Sequence, residues 1–267
     1  MDEPHSEPAP CIAVHGFRKA YADTIAVADL SFQVQPGQIV GMVGPNGAGK
    51  TTTMRAIAGI IPATRGRLTI AGHDVVDDPI AAKAALAYVP DDPKLFEALT
   101  VWEHLQFVAS LYNVRDFTPI AEQLLAEFEL TDKRNALAQE LSRGMRQKVA
   151  IACAYLHQPT ALMLDEPMTG LDPRGIRTMK DTLRSRAEAG AAVIVSSHLL
   201  ALVEDLCTHL LIMHRGRSLF FGSVEQARSA VAGADSRSSL EDVFFRITEG
   251  ENAAASGSPD KGGSPSI

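Results

Sequence analysis

The chain is short of three things, and each shortage closes off a class of function. It has only three cysteines in 267 residues, Cys11, Cys153 and Cys207. They share no metal-ligand or redox spacing, which argues against a disulfide scaffold or a cysteine metal site. They read as reduced thiols, two of them expected in the core. No apolar run approaches the roughly 20 residues that a membrane helix needs, and no signal peptide opens the chain. The expectation is a protein that is cytosolic or held at a membrane by a partner. Positive charge is scarce too: 25 Lys and Arg against 32 Asp and Glu give a net charge of −7. Broad nucleic-acid binding, which draws on released counterions, is disfavoured. What remains, 46% hydrophobic and 21% charged, is an ordinary globular composition with ample material for a core.

Glycine, by contrast, is concentrated where it has a use. Gly44-Pro45-Asn46-Gly47-Ala48-Gly49-Lys50-Thr51-Thr52 frames four residues between two glycines and follows them with Lys and Thr. A triphosphate must be wrapped by backbone N–H groups, and glycine lets the main chain come that close. Lys50 can then reach the outer phosphates, and the Thr51 hydroxyl can hold Mg²⁺. The apolar run Gln38 to Val43 reads as a strand leading in, and Lys50 to Gly59 has helical spacing. That order aims a helix N-terminus at the phosphates.

The surrounding pattern is mixed. Ile12 to Val14, Ile25 to Leu30, Ser31 to Gln35, Arg67 to Ile70 and Ala85 to Val89 read as strands, with a turn at Pro36-Gly37. From Thr100, capped by Glu103, the chain turns helical. One helix follows Thr100, a second follows Pro119 and a third runs from Arg143 to His157. Residues from about 92 to 157 therefore read as an all-helical insert. Strands return at Ala161 to Leu164, Ala191 to Val195 and His209 to Met213. Helices Pro173 to Ala189 and Leu199 to Leu206 alternate with them, which predicts a parallel sheet covered on both faces. A last strand, Arg217 to Gly222, and short helices at Ser223 to Ala232 and Ser239 to Thr248 complete the ordered part. Residues 1–10 and 250–267 are polar, Pro- and Gly-punctuated, and expected to be disordered, leaving 11–249 as one domain.

Three further patterns carry chemistry. Ala161 to Leu164 is an apolar strand ending in Asp165-Glu166. Ligands of open α/β sheets collect at the carboxyl ends of strands, so Asp165 can hold Mg²⁺ beside Thr51 and Glu166 can polarise an attacking water. Alone, such a pair is equally a solvated strand end. Ser142, in Leu141-Ser142-Arg143-Gly144-Met145-Arg146-Gln147, is a good N-cap, and Gly144 leaves the first turn bare. This is half an anion site, or simply a capped helix. His198 follows a neighbouring strand end and can hydrogen-bond a γ-phosphate.

In this order the pieces resemble one family, the ATP-binding cassette (ABC) ATPases, over roughly Ile12 to Thr248. GPNGAGKTT looks like its Walker A, LSRGMRQ its signature, ALMLDE its Walker B, and Gly170-Leu171-Asp172 its D-loop. His198 matches its switch histidine, and Tyr21 the aromatic that stacks on adenine. The resemblance implies an α/β fold: a P-loop NTPase core, a small antiparallel β lobe and an inserted all-helical subdomain. It implies ATP and Mg²⁺, a second cassette joined head to tail, and Ser142 and Gly144 facing the partner's nucleotide. It also implies a separate membrane permease docked on the helical insert, with the chain peripheral on the cytoplasmic face. Two residues depart from the pattern: Met145 follows Gly144 where glutamine is usual, and Asp91 replaces a glutamine after the strand AYVP. Met145, with the closing SSLEDVFFRIT, resembles single-cassette partners of exporter permeases. A soluble ABC-type ATPase and a weakly hydrolysing regulatory cassette are the alternatives. No coiled coil, zinc motif or basic extension supports the first, and Asp91 keeps the second open.

Overall fold

A computed structural model of the chain describes residues 9–198, 200–231, 240–242 and 244–246. The expected disordered ends fall outside these residues except for Ala9 and Pro10, and the expected helix Ser239 to Thr248 falls partly outside.

The chain opens as a hairpin of β1 (Ile12–Tyr21) and β2 (Thr24–Val34), then enters β3 (Ile39–Val43) and α1 (Lys50–Ile57). It returns to the lobe through β4 (Arg65–Ile70), β5 (His73–Asp74) and α2 (Pro79–Ala84), and reaches β6 (Leu86–Val89). The helices α3 (Val101–Leu111), α4 (Phe117–Glu127) and α5 (Arg143–Leu156) follow, with short 3-10 turns at Thr131–Lys133 and Ala138–Glu140. The rest alternates: β7 (Ala161–Asp165), α6 (Pro173–Glu188), β8 (Ala192–Ser196), α7 (Leu200–Leu206), β9 (His209–His214), β10 (Arg217–Ser223) and α8 (Val224–Val231).

The strands form one sheet in the order β5-β4-β1-β2-β10-β9-β3-β8-β7-β6. From β9 to β6 every neighbouring pair is parallel. β1, β2, β4 and β5 pair antiparallel. A single parallel bridge, Arg217 to Asp29, joins β10 to β2 and so joins lobe to core. Every residue of β3, β7 and β8 is buried, as two covered faces require. Successive residues then serve opposite cores. Ile39, Leu162 and Val193 pack into one cluster with α5, α6 and α7, while Val40, Met163 and Ile194 pack into another with α1 and the lobe.

Three sequence expectations are corrected here. The separate strands Ile12–Val14, Ile25–Leu30 and Ser31–Gln35 are two long ones, because the chain continues through a register shift after Val14 and turns at Ala22-Asp23. Ala22 takes a left-handed φ of 44°, and a turn without glycine or asparagine gives no hairpin signal. The second helix starts at Phe117, before Pro119, whose missing N–H costs nothing in a first turn. Of the two core thiols expected, Cys207 is buried, whereas Cys153 and Cys11 pack at the margins of the two clusters.

The insert holds together by its own contacts. Thr100 and Glu103 form the reciprocal capping box that starts α3. Arg134 stacks over Trp102 at 3.6 Å, and Phe128 of the α4 end meets Tyr155 of α5 at 5.9 Å between ring centres.

Candidate active site

β3 delivers the chain to the centre of the sheet's carboxyl edge, where the glycine loop turns it into α1. At Gly44 a Cβ would lie 2.3 Å from the Met213 carbonyl oxygen, so no side chain fits. Gly49 caps α1 at φ 102° with its Cβ position 2.8 Å from the Ala26 carbonyl oxygen. Both constraints are met by glycine alone. Between them Pro45, Asn46 and Gly47 are exposed, and Ala48 is buried with its N–H on the Pro45 carbonyl at 3.1 Å.

Lys50 is the first residue of α1 and is buried. Its Nζ donates to the Gly44 carbonyl at 2.6 Å and to that of Pro45 at 3.3 Å. Burial pulls its pKa down, and the negative charges of Glu166 and Asp165 pull it back up. Thr51 Oγ1 donates to Asp165 Oδ2 at 2.9 Å, so the start of α1 and the end of β7 meet through one hydrogen bond. Thr52 lies next along the helix, half-buried. Ser196 at the end of β8 donates through Oγ to the other oxygen, Asp165 Oδ1. Sequence reasoning missed Ser196; its signal is the register that sets it opposite Asp165.

Glu166 leaves β7 with a left-handed φ of 49°, and its N–H donates to the Ser196 carbonyl. For a residue other than glycine this backbone costs about 1–2 kcal/mol, the kind of outlier found at sites of function. Its Oε2 accepts from His198 Nδ1 at 2.9 Å. Lys50, Thr51, Asp165, Glu166 and His198 therefore come together at the carboxyl ends of β3, β7 and β8.

A second group forms elsewhere in the chain. Ser142 caps α5, accepting the Met145 N–H at 3.3 Å, and Asp172 caps α6, accepting that of Gly175 at 3.0 Å. A Cβ on Gly144 would lie 2.7 Å from the Gly170 carbonyl oxygen, so signature and D-loop are in direct contact. Asp91, just beyond β6, pairs with Arg143 of α5 at 3.1 Å. Tyr21 ends β1 in the lobe, its half-exposed ring 4.6 Å from Lys19 Nζ.

The first group suits a magnesium nucleotide. The glycine cradle admits phosphate oxygens to backbone N–H groups, and Lys50 supplies a cation. Thr51 and Asp165 offer an oxygen-only pair, the donor type of hard cations. No cluster of three His, Cys, Asp or Glu exists among the described residues. One carboxylate and one hydroxyl fit Mg²⁺, which keeps waters and phosphate oxygens as its other ligands.

Fold and loop together define a P-loop nucleoside triphosphatase. A profile described as ABC transporter matches residues 27–169, and the chain belongs to that family. Its relatives span most of it. It is 32% identical over 240 residues to the ABC-type transporter ATP-binding protein EcsA of Bacillus subtilis, covering 89% of this chain and 96% of that one. It is 33% identical to the Nod factor export ATP-binding protein I of Cupriavidus metallidurans, over 84% of this chain and 75% of that one. Linearmycin resistance ATP-binding protein LnrL of Bacillus subtilis is 30% identical over 83% of this chain and 72% of its own. Among solved structures, an ATP-binding subunit of an ABC transporter superposes with a TM-score of 0.85 at 32% identity, covering 89% of this chain and 99% of that one. The chain is an ATP-binding subunit of ABC-transporter type, and membership of the family implies ATPase activity.

Proposed function

We propose that the chain hydrolyses Mg-ATP to drive export through separate membrane subunits, with two cassettes closing head to tail over two nucleotides. The observation that carries this is the 2.9 Å hydrogen bond from Thr51 to Asp165, which ties the phosphate loop to the acid-bearing strand end. Thr51 and Asp165 would hold Mg²⁺, which supplies charge neutralisation for the phosphates when bound. The loop from Gly44 to Thr52 wraps the phosphates, Lys50 binds their outer oxygens, and Tyr21 offers a face to the base. Glu166 takes the proton of the attacking water on Oε1 as the water oxygen bonds to the γ-phosphorus and the bond to ADP breaks, and His198, bonded to Oε2, orients that carboxylate. Ser142, Gly144 and Asp172 face the partner's nucleotide.

Export is supported by the names of the relatives, one concerned with Nod factor export and one with linearmycin resistance. No helix among the described residues is long and apolar enough to cross a membrane, and in this reading separate membrane subunits supply the pathway. An apolar groove of about 280 Å³ between the loop after β6 and the helical insert suits them; Tyr88, Phe96, Phe107 and Cys153 are among its walls. Phe96 and Phe107 remain exposed there, a surface for a permease segment at the cytoplasmic face.

Lys50→Ala tests the reading. Loss of a charge-assisted contact to phosphate should weaken ATP binding at least about tenfold. Lys50 is buried and bonded to the Gly44 and Pro45 carbonyls, so the variant should lose some thermal stability yet stay folded, as circular dichroism would check. Unaltered ATP affinity in a titration would refute the phosphate-loop assignment.

A further inference from the structure

Glu129 stands where local preference asks for another residue. It follows the last turn of α4 with a left-handed φ of 57°, the place where helices favour glycine. It also sets a negative charge at the negative end of that helix. Arg174 is misplaced in the mirror sense, a cation in the first turn of α6. Each compensates the other: Arg174 Nη2 lies 2.6 Å from Glu129 Oε1. The second carboxylate oxygen lies 3.8 Å from Nζ of Lys148, an α5 residue whose side chain is only 14% exposed. Below this bridge there is no slack. The Lys148 stem lies 3.4 Å from where a Cβ of Gly175 would be, and the Gly144 position touches the Gly170 carbonyl.

We propose that Glu129 is a positioning residue. It ties Lys148, in the second turn of α5, to Arg174, in the first turn of α6, so that Ser142, Gly144 and Asp172 meet a partner cassette as one rigid face. The inference rests on the head-to-tail reading above for its functional meaning, but the joint itself is a property of the single chain.

The test therefore has two arms. In the first, hydrogen exchange of residues 143–147 and 173–177 is followed in the full chain without nucleotide. Glu129→Gln and Arg174→Gln should each speed exchange in both turns together, by about two- to fivefold, as loss of a partly exposed ionic joint allows. The double variant should add little to either single one, and Arg174→Lys should restore the parent rate. About 0.5 M salt should shrink the difference by partly screening the pair. Faster exchange in 173–177 alone, or in neither turn, overturns the proposal. In the second arm, the same substitutions are placed in a Glu166→Gln chain. ATP-driven dimerisation should weaken about two- to fivefold while the ATP affinity of the monomer stays fixed. Undiminished dimerisation with loosened turns also overturns it. If the Glu166→Gln chain stays monomeric with ATP bound, the homodimeric form of the head-to-tail reading fails, and the exchange arm still decides the role of Glu129 as a joint.

Discussion

Glu166 and Asp91 show how similar carboxylates acquire different work from their surroundings. Glu166 is held by a strained backbone and by His198, at the mouth of the phosphate loop. Glu166→Gln keeps the size and removes the base, so phosphate release at saturating ATP should fall about a hundredfold or more while ATP stays bound. Turnover at the parent rate would remove Glu166 from the chemistry. Asp91 is half-exposed and bonded to Arg143, not to Thr51 or Asp165. An exposed pair of this kind contributes only about 0.2–1 kcal/mol. Asp91→Gln should therefore bind Mg-ATP about as tightly as the parent and keep its basal hydrolysis in a magnesium titration, while stimulation by the membrane partner changes. A fall in basal rate by orders of magnitude would make Asp91 a metal ligand instead.

At the scale of elements, the join between insert and core has its own titration. His157 caps the end of α5, and its ring stacks on Tyr112 at the end of α3, 3.8 Å between centres. Burial pushes the His157 pKa down. The unfolded chain then binds a proton that the folded one resists. The stability gained by keeping the ring neutral is complete above the ordinary histidine value of about 6.5, and is lost as pH falls through the lowered folded value. His157→Phe should flatten the decline of unfolding temperature between about pH 7 and pH 5, and an unchanged slope would assign that decline to other groups. The caps of these helices were legible in advance, since Thr100 with Glu103 and Ser142 announce themselves within four residues. So was most of the phosphate site, because its loop is one unbroken stretch. The β1–β2 hairpin was not, as Ala22-Asp23 carries no turn signal. Nor was Ser196, whose meeting with Asp165 depends on a register between strands separated by a whole helix.

For the whole molecule, the Ser142–Gly144 face and the Lys50 loop lie on different parts of one chain, and in the head-to-tail arrangement proposed above a second cassette encloses each nucleotide. In a Glu166→Gln chain, ATP should shift light scattering from monomer mass toward dimer, and Ser142→Arg should abolish the shift by filling the bare helix turn. Unchanged mass with bound nucleotide counts against a homodimer, and mixing with a different cassette then separates a strict heterodimer from no dimer at all. The position of β3 has a broader consequence. It is paired on both edges, to β8 and to β9, so the strand that bears the loop stays in place while the central sheet persists. Nucleotide bound by the folded loop and not by the unfolded chain stabilises the fold. Its binding energy should therefore appear undiminished in global stability, about 2.7 kcal/mol at a hundred times the dissociation constant. Cellular ATP would in this way act as a structural ligand, and a cassette starved of it would become the better substrate for proteolysis.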